Sequence, residues 1–381
     1  MWRVRILLIM SIYTCALACS ATKNQDETTI DIDLSRPCEE NVWGKLVKDA
    51  KLVKLTFKDA NEVIGVIDRV IFTKSNIIIL DKQQMKVFVF DKKGNNIAII
   101  DRQGRDPEQY ISIEDIAISD DMIFIYDSDD CKVCIYSING DFVRKFDVAS
   151  GYHIAITAYD ELFLSSGYAA DGYEVSLCDF MGNNIEKLVP VDETLNSLPV
   201  EFVNERALSI YEDEVLMTRY FDYSVYSYNG SEIKAKYRFD FGENNFSVEL
   251  INEKDPILFH KSIIAGRSVH TIDNFVESPD WLIFDAGFKT IFYNKEERKY
   301  YVESSYKPAP YGLFFLNPIM GYDQYTDSFY STVSALNIGE KLIPFLQNTP
   351  SGYVGIDQYV DSLISEDEND YILMLRFSDK L

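Results

Sequence analysis

Two stretches of the chain carry the same pattern, 46 residues apart. Ile67 to Asn95 reads IDRVIFTKSNIIILDKQQMKVFVFDKKGN, and Ile113 to Asp141 reads IEDIAISDDMIFIYDSDDCKVCIYSINGD. Without a gap, Asp81 falls on Asp127, Val87 on Val133, Phe90 on Tyr136 and Gly94 on Gly140. A unit of short apolar strands recurring at about 40–50 residues cannot bury its own faces and must stack on its neighbours, the pattern of a β-propeller blade.

The first copy divides into strands at Ile67–Thr73, Ile77–Asp81, Lys86–Asp91 and Asn96–Asp101. The second divides at Ile113–Ser119, Met122–Asp127, Lys132–Ser137 and Asp141–Asp147, with Gly94 and Gly140 in the turns. Ile77 to Leu80 and Val87 to Phe90 are apolar at every position, as a sheet buried on both faces requires. Weaker copies follow, with Gly182 placed 42 residues after Gly140 and Gly230 48 residues further on. A fifth runs through Trp281–Asp285 and Thr290–Tyr293, and the stretch from Tyr311 to Leu381 holds a sixth with an insertion. The last strand, Tyr371–Phe377, is expected to pair with Leu52–Phe57, leaving no sheet edge open. The fold expected is therefore all-β: a six-bladed β-propeller of four-stranded antiparallel blades, its ring closed by N- and C-terminal strands. Rim helices are expected at Asn348–Glu368 and Ser247–Lys261, the second interrupted at Pro256.

The N-terminus reads as an export signal. Arg3 and Arg5 precede an apolar run from Ile6 to Ala18, which ends in Ala16-Leu17-Ala18-Cys19. Small residues before a cysteine resemble a lipobox, making Cys19 the expected lipid attachment site and the membrane a partner through that anchor. The polar, acidic segment that follows is expected to be a flexible tether. The organisation expected is residues 1–18 signal peptide, 19–40 lipidated tether and 41–381 propeller.

The formal charge is −24, and removing residues 1–18 takes away two arginines and no acid, leaving −26. Such a chain repels phosphate backbones, so no nucleic-acid partner is expected. Cys131 and Cys134 are spaced C-x-x-C, but on one strand they point to opposite faces, so no metal site is expected there. Asp127-Ser128-Asp129-Asp130 lacks the glycine and distal glutamate of a calcium loop. Asp81 and Asp127 are instead expected to cap turns by accepting backbone N–H groups.

The recurring set Asp81, Lys86-Val87, Phe90, Gly94 and its copy Asp127, Lys132-Val133, Tyr136, Gly140 resembles NHL-type propeller repeats. Nearly the whole mature chain is similar to the six-bladed β-propeller lipoproteins of Bacteroides and relatives. Those carry a lipobox, a loop close to G-R-G-P-G-E-Y and a final strand preceded by acidic residues. Here the loop is Gly104-Arg105-Asp106-Pro107-Glu108-Gln109-Tyr110, with Asp106 and Glu108 replacing glycines, and Glu366 to Asp370 precede the last strand. The resemblance implies a Gram-negative cell-envelope lipoprotein, periplasmic or surface-facing at the outer membrane, and supplies no catalytic residues. Asp361-Ser362-Leu363 resembles an O-glycosylation motif of these bacteria, with Ser362 the acceptor.

Candidate ligand contacts are Arg102, Arg105 and Tyr110 on the inter-blade loop and His153 and His270 near inner strands of different blades. Two arginines in so acidic a chain favour carboxylate or sulfate groups, held bidentately. The aromatic cluster from Tyr311 to Tyr330 could stack on sugars, although packing accounts for such density as well. No nucleophile elbow, zinc-protease motif or P-loop is present, and no cofactor is expected. The reading is a tethered propeller that binds a glycan, peptide or envelope protein without catalysis. The alternative is a propeller lyase or hydrolase acting on glycan or peptide in the central channel.

Overall fold

The computed structural model describes residues 29–36, 45–59, 61–165, 172–191, 206–247, 255–259, 261, 268–287, 289–304, 319–333 and 371–378. Two strands precede the repeats, β1 (Thr29–Asp31) and β2 (Val47–Lys54). Blade one then comprises β3 (Arg69–Phe72), β4 (Asn76–Asp81), β5 (Lys86–Asp91) and β6 (Asn96–Ile100). Blade two comprises β7 (Asp115–Ser119), β8 (Met122–Asp127), β9 (Lys132–Ser137) and β10 (Phe142–Asp147). Blade three holds β11 (His153–Ile156), β12 (Leu162–Ser165), β13 (Tyr173–Cys178) and β14 (Asn184–Pro190). Blade four holds β15 (Leu208–Tyr211), β16 (Glu214–Arg219), β17 (Asp222–Tyr228) and β18 (Ile233–Asp240). Blade five holds β19 (Asp273–Glu277), β20 (Trp281–Ala286), β21 (Lys289–Asn294) and β22 (Lys299–Ser304). Blade six is built from β23 (Gly321–Asp323), β24 (Ser328–Val333) and β25 (Tyr371–Phe377), with β2 as its outer strand.

Each blade is an antiparallel meander, and the blades pack through apolar seams. In blade one Ile77 and Ile79 face blade six, whereas Ile78 and Leu80 face blade two. The period of two thus sends alternate residues of one fully buried strand into two different cores. The all-apolar runs of the sequence are accounted for by this double burial. The described inner strands β3, β7, β11, β15, β19 and β23 line the middle of the ring.

The ring closes between chain ends, as expected, with the partner strand shifted toward the N-terminus and sharing Leu52 to Lys54 with the expected segment. β2 pairs antiparallel with β25 from Val47 opposite Phe377 to Lys54 opposite Tyr371. The sequence points to Leu52–Phe57 because its apolar alternation is strongest there; the strand begins earlier because Val47 and Ala50 are buried against blade five. Thr56 is used separately, donating its N–H to the Gly94 carbonyl at 2.8 Å. Gly94 sits at φ +88°, and a Cβ there would lie 2.0 Å from the Lys54 carbonyl oxygen, so both its conformation and its neighbour require glycine.

Two expectations are corrected. The segment expected to be a flexible tether to residue 40 contains β1, which runs parallel to β18 as a fifth strand on blade four. Ile32 and Leu34, among few apolar residues in a polar stretch, are buried in the seam between blades four and five. Of the helix expected at Ser247–Lys261, residues 256–259 form a helical turn and 261 is helical as well. Pro256 opens that turn rather than interrupting it, with Asp255 capping the N–H groups of Ile257 and Leu258 at 2.8 and 3.1 Å. The other expected helix, Cys19, Cys38 and Ser362 lie outside the described residues. No described helix is long and apolar enough to cross a membrane.

Candidate functional site in the central channel

The inner strands enclose a cavity of about 1380 Å³ to which all six blades contribute. Its polarity is set at the strand ends. Three consecutive inner strands begin with a polar residue that lines it: Arg69 on β3, Asp115 on β7 and His153 on β11. Arg69 and Asp115 are separated by the repeat distance of 46 residues, so they occupy the same slot in adjacent blades with opposite charge. They form an ion pair there.

Asp115 is 3% exposed, which makes its partners decisive. The Ile116 N–H donates to Oδ1 at 2.8 Å and the Ile154 N–H to Oδ2 at 2.9 Å. His153 Nδ1 stands 3.7 Å from Oδ2. Burial acts to raise the carboxyl pKa, but the Arg69 guanidinium and His153 override it and hold Asp115 well below the usual carboxylate range. One carboxylate therefore joins three blades at the channel wall.

A second arginine arrives from the other side. Arg206, just before β15, reaches across the ring to the Asp68 carbonyl on blade one at 3.4 Å, three blades away. The neighbouring Asp68 carboxyl is raised by burial, partly offset by the Lys82 N–H at 2.7 Å. This mouth thus holds two guanidiniums and an imidazole among carboxylates, close to local neutrality in a strongly acidic molecule. The opposite mouth, at the far ends of the inner strands, carries Asp120, Asp121, Asp160, Glu212 and Asp213. An anionic ligand is repelled by that acidic rim and met by guanidiniums at the other end.

The expected site residues are placed apart. His153 lies in the cavity wall. His270 does not line the cavity; its ring stacks on Tyr220 with centroids 6.0 Å apart, and its carbonyl accepts the Phe221 N–H. Tyr110 is fully buried in the seam between blades one and two, correcting its reading as a ligand contact. Its hydroxyl donates to the Met85 carbonyl at 2.8 Å and accepts the Arg102 N–H at 3.1 Å. Arg102 and Arg105 are exposed on the loop and do not reach the cavity. Sequence reasoning misses Arg69 and Asp115 because each reads as one more residue of its own strand, and Arg206 because it precedes β15 in no motif. Aligning the two copies residue by residue sets Arg69 against Asp115, and that mismatch in an otherwise apolar strand is the available signal.

The tempting motifs are absorbed by the scaffold. Asp127 accepts the N–H groups of Ile111, Ser112 and Asp130 at 2.7, 3.2 and 3.3 Å. Asp81 does the same for Gly65, Val66 and Gln84 at 2.7, 3.1 and 2.9 Å. Each caps its turn as expected and also pins the linker entering its own blade. Asp130 pairs with Lys132 at 2.6 Å. Cys131, Cys134 and Cys178 are free thiols, and burial pushes Cys134 and Cys178 up to about 12. Of the aromatic cluster, Phe329 packs on Phe377 and the buried Tyr330 bonds the Val70 carbonyl at 2.9 Å, while Tyr325 is exposed.

Comparison with known proteins agrees with this architecture. A protein of Bacteroides fragilis described as exported superposes with a TM-score of 0.68 at 18% identity, covering 92% of this chain and all of that one. A member of the DUF4221 family from Bacteroides vulgatus gives 0.43 at 9% identity, covering 87% and 98%. A virginiamycin B lyase from Staphylococcus aureus gives 0.42 at 10% identity, covering 74% and 81%. At 18% identity the likeness to the Bacteroides fragilis protein is one of fold and carries no activity across. No curated protein matches the chain significantly. The family model for the domain of unknown function DUF4934 matches residues 28–374, and the chain belongs to that family.

Proposed function

We propose that the protein is an exported, lipid-anchored cell-envelope protein whose propeller binds an anionic ligand at the arginine-bearing mouth of its channel, without catalysis. The observation that carries the reading is Arg206 spanning the channel mouth beside the Arg69–Asp115 pair and His153. Guanidiniums in a partly buried, water-restricted setting favour carboxylate or sulfate, and the fork geometry adds selectivity. The ligand is then an acidic glycan or a peptide with a free carboxylate. The signal-like N-terminus, the lipobox-like Ala16 to Cys19 and the resemblance to six-bladed propeller lipoproteins of Bacteroides support the location.

The test is calorimetric titration of the mature protein with trigalacturonate, a sulfated heparin disaccharide, a tetrapeptide and neutral maltotriose. The reading expects at least one anionic probe to bind, maltotriose not to bind, and Arg206→Ala to weaken the bound probe at least tenfold. Binding of maltotriose alone, or affinity indifferent to Arg206, contradicts it. A second reading has one observation in its favour, the His153–Asp115 pair facing the cavity, which is the arrangement a general base requires. Turnover of a bound glycan or peptide, abolished by His153→Ala with binding retained, would establish that reading instead.

A further inference from the structure

The N-terminal segment decides how an anchored propeller stands on a membrane. Without β1, the chain between Cys19 and the first strand of the ring at Val47 would be 28 peptide steps, spanning up to about 90–100 Å. A domain of this size is only about 50 Å across, so a tether that long leaves every orientation open. The structure shortens it. β1 adds to the outer edge of β18 in parallel, with Thr29 opposite Arg238 and Asp31 opposite Asp240. Beyond it the Ile32 N–H donates to the Asp240 carbonyl at 2.8 Å, and Ile32 and Leu34 are buried between blades four and five. The Asp33 N–H donates to the Tyr300 hydroxyl at 2.8 Å, Lys289 bonds the Leu34 carbonyl, and Arg36 lies over the Tyr300 ring. The strap is therefore sewn to blade four by main-chain bonds, to blade five by the Tyr300 and Lys289 side chains, and into the seam by two apolar anchors.

We infer that this strap fixes the orientation of the propeller on a lipid bilayer, holding the outer edge of blades four and five toward the membrane and blade one away. The inference rests on the lipid anchor at Cys19. From Cys19 to Thr29 are ten peptide steps, at most about 33–36 Å. That is shorter than the domain is wide, so blade four cannot be the distal edge. Blade one lies three blades round the ring, on the opposite side. The main-chain pairing and the buried Ile32 and Leu34 have to be undone before the propeller can turn over. An edge-on stance also leaves both channel mouths open to solvent.

The test uses the full lipidated chain in phosphatidylethanolamine–phosphatidylglycerol vesicles containing an acceptor-labelled lipid. A donor dye is placed at Lys234→Cys on β18 or at Ile97→Cys on β6, both exposed, in a background with Cys38 and Cys131 replaced by serine. Energy transfer to the bilayer should be at least twofold greater from position 234 than from position 97. The pair Ile32→Asp and Leu34→Asp should abolish that difference while the protein stays on the vesicles, since blade four keeps its own four strands. Equal transfer from the two positions in the unaltered strap, with the protein attached, overturns the orientation but leaves the anchor standing. Failure of the lipidated chain to attach overturns the anchor itself, and the orientation falls with it.

Discussion

Asp127 and Asp115 are two buried aspartates of the same blade, twelve residues apart, and they serve different ends. Asp127 has its counterpart at Asp81, in the same slot of blade one, and both aspartates are consumed by backbone N–H groups of the turn and the incoming linker. Asp115 has Arg69 as its counterpart, and the two residues meet at the channel wall. Where the copies agree, the residue solves a problem that both blades share. At the slot of Arg69 and Asp115, where the copies disagree, both residues face the space common to all six blades. In a repeat protein this separates scaffold from site without reference to any other chain.

The largest effect expected is on the agreeing slot. Asp127→Ala removes one acceptor from three backbone N–H groups and should cost about 3 kcal/mol or more, read as a lower denaturant midpoint with unchanged slope. A cost below about 1 kcal/mol would break the comparison from the scaffold side.

Next comes the acid limb of stability. A carboxyl whose folded pKa is depressed adds stability that is fully present above its unfolded value, near 4, and is lost as pH falls through the folded value. Asp115→Asn should therefore flatten the fall in stability below about pH 4, while Asp127→Asn leaves the Asp115 contribution in place. Unfolding curves at stepped pH measure this, and an unchanged acid limb in Asp115→Asn would deny the coupling to Arg69. The smallest effect is expected at Arg105→Ala, within about 0.5 kcal/mol of the parent and without change in binding, because the side chain is exposed on its loop.

Much of the fold was legible because blade burial writes itself into sequence as doubly apolar strands with glycine turns. β4, β5, β8 and β9 fall close to their expected bounds for that reason. β1 was not legible, since three residues in an acidic stretch owe their order to an edge that only the folded blade four provides. The site was partly legible. His153 was singled out and lines the cavity, whereas Arg206 sits in no motif and gains meaning only when blades one and four face each other across the ring. Tyr110 misled because a conspicuous loop residue near an arginine can equally be a buried plug with its hydroxyl spent on main chain.

The most direct measurement sets stability against binding in two variants of the same protein. Unfolding midpoints and calorimetric affinities for the best-bound anionic probe are taken for Asp127→Ala and Arg206→Ala. The account predicts that Asp127→Ala loses stability while its folded fraction keeps the parent affinity. It predicts that Arg206→Ala keeps the parent stability to within about 1 kcal/mol and loses at least tenfold in affinity. Parent affinity in Arg206→Ala, or a tenfold loss in folded Asp127→Ala, would contradict the division between scaffold and site.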